Sequence, residues 1–491
     1  MTTHPKPHLQ AEATHLTAVS RLDPARKAAL GQFMTSPEIA HFMASLFPET
    51  PEVACRVLDA GAGAGALSGA FLERWQRGGL GFTSVEAVAY EIDETLRGHL
   101  AGRLQTYPAA KTQIRAGDFI ELATQDLLWD TFQPFTHAIL NPPYRKIGSQ
   151  SPHRLMLRQI GIETVNLYSA FVALAIALMA PGGQIVALIP RSFCNGPYYR
   201  PFREFLLSRT AIRHLHLFES RRQAFKDDAV LQENIILRLE KGGQLGPVTV
   251  STSTDSTFAD LVSAEYAPEQ IVFPGDAESF IHVPATPELH TPTLPWAATL
   301  ADIGVQVSTG PVVDFRLREH LRKMPQTDTV PLLYPAHLAG GVSWPLAGGR
   351  KPNAIVRNQD TEKWLYPTGF YCVVKRLSSK EEPRRVVATV IDPAAFPQAE
   401  KLGFENHLNV LHDSKHGLPE ALAHGLAAYL NSTGVDQAFR RFSGHTQVNA
   451  TDLKNLSYPS RTQLLTLGEW AMGQPSLTQS VIDGQIAELK T

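Results

Sequence analysis

Short apolar runs that stop at a polar residue recur through the first half of the chain and set its predicted elements. Residues 56–59 form one such run, closed by Asp59 and followed by Ala60-Gly61-Ala62-Gly63-Ala64-Gly65. Residues 67–75 then take up helical spacing, so the order is strand, glycine turn, helix. A second run, residues 87–90, ends in Glu91-Ile92-Asp93, and Gly117-Asp118-Phe119 marks a third strand end. The fourth, Ala138-Ile139-Leu140, runs directly into Asn141-Pro142-Pro143-Tyr144. Upstream, Ile39, Phe42, Met43 and Leu46 recur at helical spacing. Thr35 or Ser36 suits the N-cap of that helix, with Pro37 and Glu38 in its first turn. Asn166-Leu167-Tyr168-Ser169-Ala170-Phe171 opens a further helix that ends at Pro181-Gly182-Gly183, and strands are expected at 184–189 and 235–239. Strands alternating with helices predict an α/β domain with a mostly parallel sheet.

From residue 241 to 295 this pattern fades into Gly, Ser, Thr and Pro with short runs such as Val248-Thr249-Val250, which reads as the edge of the first domain plus a connection. A new periodic region begins at Trp296. The expected division is therefore 1–245, a connecting region 246–295, and a second domain 296–491. The second domain holds three stretches dense in Asn, Gln, His, Ser and Thr, at 304–316, 405–412 and 442–453, which are read as loops. Such groups reach base edges and phosphates. Basic residues recur beside them, at Arg316, Arg318, Arg322 and Lys323, at Lys375, Arg376, Lys380, Arg384 and Arg385, and at Arg440 and Arg441. With Trp364, Tyr366, Phe370 and Tyr371 interleaved, they favour a nucleic-acid groove over an ordinary solvated face.

Composition changes the picture little. At 491 residues, with 43% hydrophobic and 19% charged positions, the chain can bury two large cores. The net charge of −2 is silent about partners, because an acidic surface elsewhere can offset a basic groove. Cys55, Cys194 and Cys372 lie far apart, so neither a disulfide framework nor a metal cluster is expected, and a reducing cytoplasm is the natural setting. The first thirty residues lack the apolar core of a secretory signal, and the most apolar segment, 171–180, is too short to span a bilayer.

The polar strand ends carry the chemistry. Asp59 can accept from a cationic or hydroxyl-bearing group, Glu91 can take both hydroxyls of a ribose, and Asp118 can accept from an adenine amine while the Phe119 backbone reads the ring edge. The turn Asn141-Pro142-Pro143-Tyr144 can offer an amide oxygen, a backbone carbonyl and a flat ring to one planar amine. Cys194 follows Ser192-Phe193 rather than a proline and is read as a bystander.

In this order the residues resemble the class I S-adenosylmethionine-dependent methyltransferases, and within them the gamma group of adenine-N6 DNA methyltransferases. The three polar stretches are similar to the target-recognition region of type II restriction-modification methyltransferases like the PstI and BsuBI methylases. The resemblance covers most of residues 30–460. It implies a Rossmann-like, mostly parallel seven-stranded sheet joined to a C-terminal α+β target-recognition domain, with S-adenosylmethionine as methyl donor. Asn141, Pro142 and Tyr144 would be catalytic, and Tyr144 and Phe225 would stack on a flipped adenine. Thr35, Asp59, Gly61, Gly63, Glu91, Asp118, Phe119, Asn141 and Phe171 would hold the cofactor. Arg316, Asn406, His407, Arg441, His445, Gln447 and Asn449 would contact double-stranded DNA. A monomer in the bacterial cytoplasm, beside a separate restriction endonuclease, is the implied setting. Two other readings stay open on the residues alone: methylation of RNA or of a protein glutamine, and a binding-only subunit that keeps the fold without turnover.

Overall fold

The computed structural model describes residues 35–50, 54–218, 233–276, 278–284, 296–378, 382–442 and 447–489, with the backbone alone at Pro197, Arg441 and Phe442. The chain divides into two compact units, Met1–Pro287 and Glu288–Thr491.

The first unit is built on strands β1 (Ala54–Ala60), β2 (Ser84–Glu91), β3 (Lys111–Ala116), β4 (Phe135–Leu140), β5 (Met179–Pro190), β6 (Thr210–Phe218), β7 (Asn234–Lys241), β8 (Val248–Ser253) and β9 (Val262–Tyr266). They form one nine-stranded sheet in the order β3-β2-β1-β4-β5-β7-β6-β8-β9. Pairing is parallel from β3 through β5, while β7 runs antiparallel to both β5 and β6. The expected count of seven is exceeded, because β8 pairs parallel with β6 and β9 antiparallel with β8. Residues 248–266, expected to fall largely in a connection, thus extend the sheet.

The period-2 alternation of the strands divides the core between the two faces. Leu58, Ala60, Val88, Tyr90, Ala138, Leu140, Ile185 and Ala187 share a buried cluster with residues of the helices Phe119–Trp129 and Leu167–Leu178. Val57, Ala87, Ala89, Ile139, Val186 and Leu188 belong to another, with the helices Pro37–Ser45, Ala66–Gln76 and Glu94–Leu104. Each fully buried Leu or Ile side chain contributes about 1.5–3 kcal/mol to holding these layers together. The strand order reverses between β1 and β4, so a crevice opens at their carboxyl ends. Asp59, Glu91, Asp118 and Asn141 all sit at or just beyond those ends.

The second unit contains strands β10 (Gln306–Thr309), β11 (Leu321–Arg322), β12 (Thr329–Leu333), β13 (Ala354–Val356), β14 (Leu365–Pro367), β15 (Tyr371–Lys375), β16 (Ala388–Ile391), β17 (Lys401–Phe404) and β18 (Leu408–His412). They make a five-stranded sheet, β11-β13-β12-β17-β14, and a four-stranded sheet, β10-β18-β15-β16. The helix Glu420–Leu430 joins Arg461–Met472 and the four-stranded sheet in one apolar cluster. Two stretches read as polar loops are in part strands: β10 and β18 pair antiparallel, with Val307, Leu408, Val410 and Leu411 buried between their polar neighbours.

Among the described residues no helix is long and apolar enough to cross a membrane, and no group of three or more His, Cys, Asp or Glu side chains could hold a metal ion.

Candidate active site

The glycine turn after β1 is shaped by backbone that only glycine adopts without strain: Gly61, Gly63 and Gly65 have φ of 77°, 58° and 83°. The amides of Gly61 and Ala62 both donate to the carbonyl of Tyr90, at 3.0 and 2.9 Å, which ties the turn to the end of β2. The Gly63 amide donates to Glu91 Oε2 at 2.7 Å, and Glu91 Oε1 accepts from the Asp93 amide at 2.8 Å. Burial pushes the Glu91 carboxyl above its ordinary range. Beneath the turn, Asp59 Oδ2 accepts from the Ser68 amide at 3.1 Å and from its hydroxyl at 2.6 Å, while Oδ1 is buried with no hydrogen-bond partner. Burial raises the Asp59 carboxyl to about 7, against the pull of the Ser68 bonds and with a push from Glu91.

Asp118 caps the helix Phe119–Trp129, its Oδ1 accepting from the amides of Ile120 and Glu121 at 2.7 and 3.2 Å. Its Oδ2 lies 3.2 Å from His153 Nε2. Burial works to raise this carboxyl, but the bond with and charge of His153, together with the two amides, outweigh it and hold the group below its usual range. The same bond raises His153. Phe119 meets Tyr90 edge-on and lies tilted against Phe171, each with ring centroids 4.9 Å apart.

At the end of β4 the Asn141 amide is held from both sides. Nδ2 donates to Thr35 Oγ1 at 3.0 Å, and Oδ1 accepts from the Tyr144 hydroxyl at 2.9 Å. That hydroxyl also lies 3.2 Å from the carbonyl of Leu188 on β5. Of the two candidate caps for the upstream helix, Ser36 takes the role, its hydroxyl accepting from the Ile39 amide at 3.4 Å. Thr35 is left free to meet Asn141.

These pieces enclose a pocket of about 300 Å³ lined by Gly61, Gly63, Glu91, Asp118, Phe119, Asn141 and Phe171, all expected as site residues, and by Tyr90, Ile92, Leu96, Gly117, Pro143, Arg145, His153 and Leu167. Asp59 and Thr35 are off its wall, one behind the glycine turn and the other behind Asn141. Sequence reasoning missed Ile92, Arg145 and His153. Ile92 directly follows Glu91 at the end of β2, which was the one sequence cue to its place. His153 had none, because only the fold brings it to Asp118. Phe225 lies outside the described residues. Cys194 is fully buried, its thiol pushed up to about 12 by burial.

The sequence is 51% identical over 476 residues to the type II methyltransferase M.BsuBI of Bacillus subtilis, covering 94% of each chain. It is 41% identical over 461 residues to the type II methyltransferase M.PstI of Providencia stuartii, covering 91% of this chain and 90% of that one. This chain belongs to the type II methyltransferases. Residues 91–225 of this methyltransferase also match the Eco57I restriction-modification methylase family. Among solved structures, the type IIL restriction-modification enzyme MmeI in complex with DNA shares the fold, with a TM-score of 0.52 at 10% identity over 98% of this chain and 72% of that one.

In the second unit of the methyltransferase, several expected DNA-facing residues converge. The turn Glu405-Asn406-His407 links β17 to β18 and so joins the two sheets. Arg376 Nη1 donates to the Asn406 carbonyl at 3.1 Å, and the Arg376 amide to the His407 carbonyl at 2.8 Å. The Val448 amide donates to the Arg376 carbonyl at 2.7 Å, and Leu377 bridges Gln447. Asn406, His407 and Gln447 are thus gathered around Arg376. His407 Nδ1 lies 2.6 Å from Glu405 Oε1, and the Asn449 amide donates to the Asp452 carboxylate at 2.7 Å. Arg316 is exposed on its own short turn beside Phe315, 62% exposed, whose ring it overlies at 5.5 Å. The Arg441 side chain and all of His445 lie outside the described residues.

Proposed function

We propose that this methyltransferase transfers the methyl group of S-adenosylmethionine to N6 of an adenine rotated out of duplex DNA at a short specific site. It would act as a monomer in the bacterial cytoplasm, with a separate endonuclease as companion. The observation that carries this reading is the Asn141 amide, fixed between Thr35 and Tyr144 on the wall of the glycine-turn pocket. The test is to incubate the purified protein with plasmid DNA and methyl-labelled S-adenosylmethionine, then to digest the DNA to nucleosides. Label in N6-methyldeoxyadenosine is expected; label in another base, or only in added RNA or protein, contradicts the reading.

The pocket residues fit the methyl donor. A Cβ added at Gly63 would meet nothing within 4 Å, so the turn leaves room for a ligand to approach its backbone. Glu91 keeps acceptor capacity for two hydroxyls beside its backbone bonds, and Ile92, Phe119 and Phe171 offer an apolar slot for a flat ring edged by Asp118. Asp59, with one buried oxygen unpaired, supplies negative charge behind the turn for a cationic end. When bound, S-adenosylmethionine supplies an electrophilic methyl carbon on a sulfonium.

Alignment dominates such a reaction. Asn141 Oδ1 and the Pro142 carbonyl accept the two amine hydrogens, which favours a more tetrahedral, reactive nitrogen. Thr35 and Tyr144 keep the amide from rotating away. Unstacking a base costs a few kcal/mol, and the Tyr144 ring recovers part of it, since stacking is worth about 1–3 kcal/mol per base. The resemblance gives Phe225 as a second plate. Asn406, His407, Gln447, Asn449, Arg316, Arg441 and His445 are proposed to contact the duplex.

Two outcomes follow. Tyr144→Ala should lose far more turnover than Tyr144→Phe, which keeps the ring and gives up the hydroxyl bond, worth about 1 kcal/mol. Equal steady-state rates for the two variants would remove the ring from the stacking role. The Asp59 carboxyl, held at about 7, must be ionised to favour a cationic ligand, so S-adenosylmethionine affinity should weaken as pH falls below about 7. Calorimetric titration between acid and alkaline pH should show up to about a tenfold loss per unit below that value, flattened in Asp59→Asn. A wild-type affinity independent of pH would contradict the assignment.

A further inference from the structure

The first unit carries a cationic patch of which only Arg145 lines the cofactor pocket. Between residues 145 and 163 stand Arg145, Lys146, Arg154 and Arg158 against a single carboxylate, Glu163, in a chain whose net charge is −2. Glu163 is already shared: Arg154 Nε and Arg158 Nε donate to its two oxygens at 2.6 Å each. Arg145 and Lys146 follow Tyr144 directly, and both are exposed. No hydrogen bond or ion pair engages the Lys146 side chain among the described residues.

Their backbone is nevertheless fixed. The Leu167 amide donates to the Arg145 carbonyl at 2.7 Å, Lys146 bridges Asn166 in antiparallel fashion, and the Ile147 amide donates to the Val165 carbonyl at 2.9 Å. Ile147 is buried in the core that includes Leu140 and Tyr168. Two long cations are thereby held on a short rigid ladder, and Lys146 lies within about 7 Å of Tyr144 along the chain. A loop cation on mobile backbone would give up more conformational freedom on meeting a partner.

We infer that Lys146 grips the DNA backbone phosphates that flank the target nucleotide. The inference rests on the reading of the site as one that receives a base from duplex DNA. A base turned onto Tyr144 brings its own phosphates close to Tyr144, where Lys146, two residues on and on a hydrogen-bonded backbone, can meet them. Phosphate contacts of this kind fix register without reading sequence. They let the catalytic unit hold the strand at the point where the base leaves the stack.

The experiment compares wild type, Lys146→Gln and Lys146→Arg in the full chain, using a duplex oligonucleotide that contains the methylated site and one that lacks it. Fluorescence anisotropy gives affinity across a salt series, and steady-state assays give KM and kcat. Lys146→Gln is expected to weaken both duplexes by a similar factor and to lower the slope of log affinity against log salt by about 0.9. It should raise KM for DNA more than it changes kcat and leave S-adenosylmethionine affinity as in wild type; Lys146→Arg should restore the slope. An unchanged slope in Lys146→Gln, while wild type binds and methylates DNA, overturns the phosphate grip alone. A wild-type protein that neither binds nor methylates duplex DNA overturns the reading of the site and this inference with it.

Discussion

Asn141→Ala is expected to lose methyl transfer by about 10²–10³-fold, the usual cost of removing one preorganised group aimed at developing charge. Among the described residues Asn141 carries the one side-chain amide on the pocket wall. Its amide is the polar group at the end of β4 that Thr35 and Tyr144 both orient, at 3.0 and 2.9 Å. Removing it would leave the Pro142 carbonyl alone of the two proposed acceptors and let the Tyr144 hydroxyl shift toward Leu188. The pocket keeps Glu91, Asp118 and Phe119, so affinity for S-adenosylmethionine should fall far less than turnover. Single-turnover transfer of labelled methyl, beside cofactor titration of the same variant, separates the two. A rate within tenfold of wild type would show that Asn141 does not orient the reacting amine.

The second large effect is on stability. Gly425 and Gly468 bring the helices Glu420–Leu430 and Arg461–Met472 to backbone contact: a Cβ at Gly468 would overlap the carbonyl of Ala421, and one at Gly425 that of Leu464. Gly468→Val therefore forces two helices apart within the buried cluster of Leu422, Leu426, Leu464 and Leu467. Overpacking costs about 1–3 kcal/mol where side chains can adjust, and backbone cannot, so about 3 kcal/mol or more is expected. For a unit of this size that lowers Tm by about 6–12 °C. Thermal melting followed by circular dichroism checks it, and a melt superimposable on wild type would contradict the close approach of the helices.

The part of the site legible in the sequence is the part encoded locally. Each of Asp59, Glu91 and Asn141 ends or follows an apolar run that became a parallel strand, and Asp118 shows itself through the glycine before it and the helix it caps. Residues that reach the pocket through the fold left no such trace. Arg145 is fixed where the segment after Tyr144 pairs with residues 165–167, and His153 stands on the helix Pro152–Gln159, 3.2 Å from Asp118.

The edge of the sheet was obscured for a different reason. The alternating pattern of β8 is short, and β9 is largely exposed, so neither contrasts with the polar sequence around it. In the second unit, polar density misled in part. Asn409 is buried, its Nδ2 donating to the Val448 carbonyl at 2.7 Å and its Oδ1 accepting from Thr309, while His412 pairs with Ser308. Such residues stitch β10, β18 and the segment at Val448 together. The same richness in Asn and His thus serves internal hydrogen bonds as well as the turn at Asn406 and His407.

Adenine methylation by this site is tested most directly in a bacterial host that lacks DNA methylation, expressing this protein or its Asn141→Ala variant, by modification-sensitive sequencing of the genome. Methylated adenine at one recurring short word is expected with the wild type and none with the variant. An unmodified genome despite soluble wild-type protein, or modification that persists with Asn141→Ala, would contradict it.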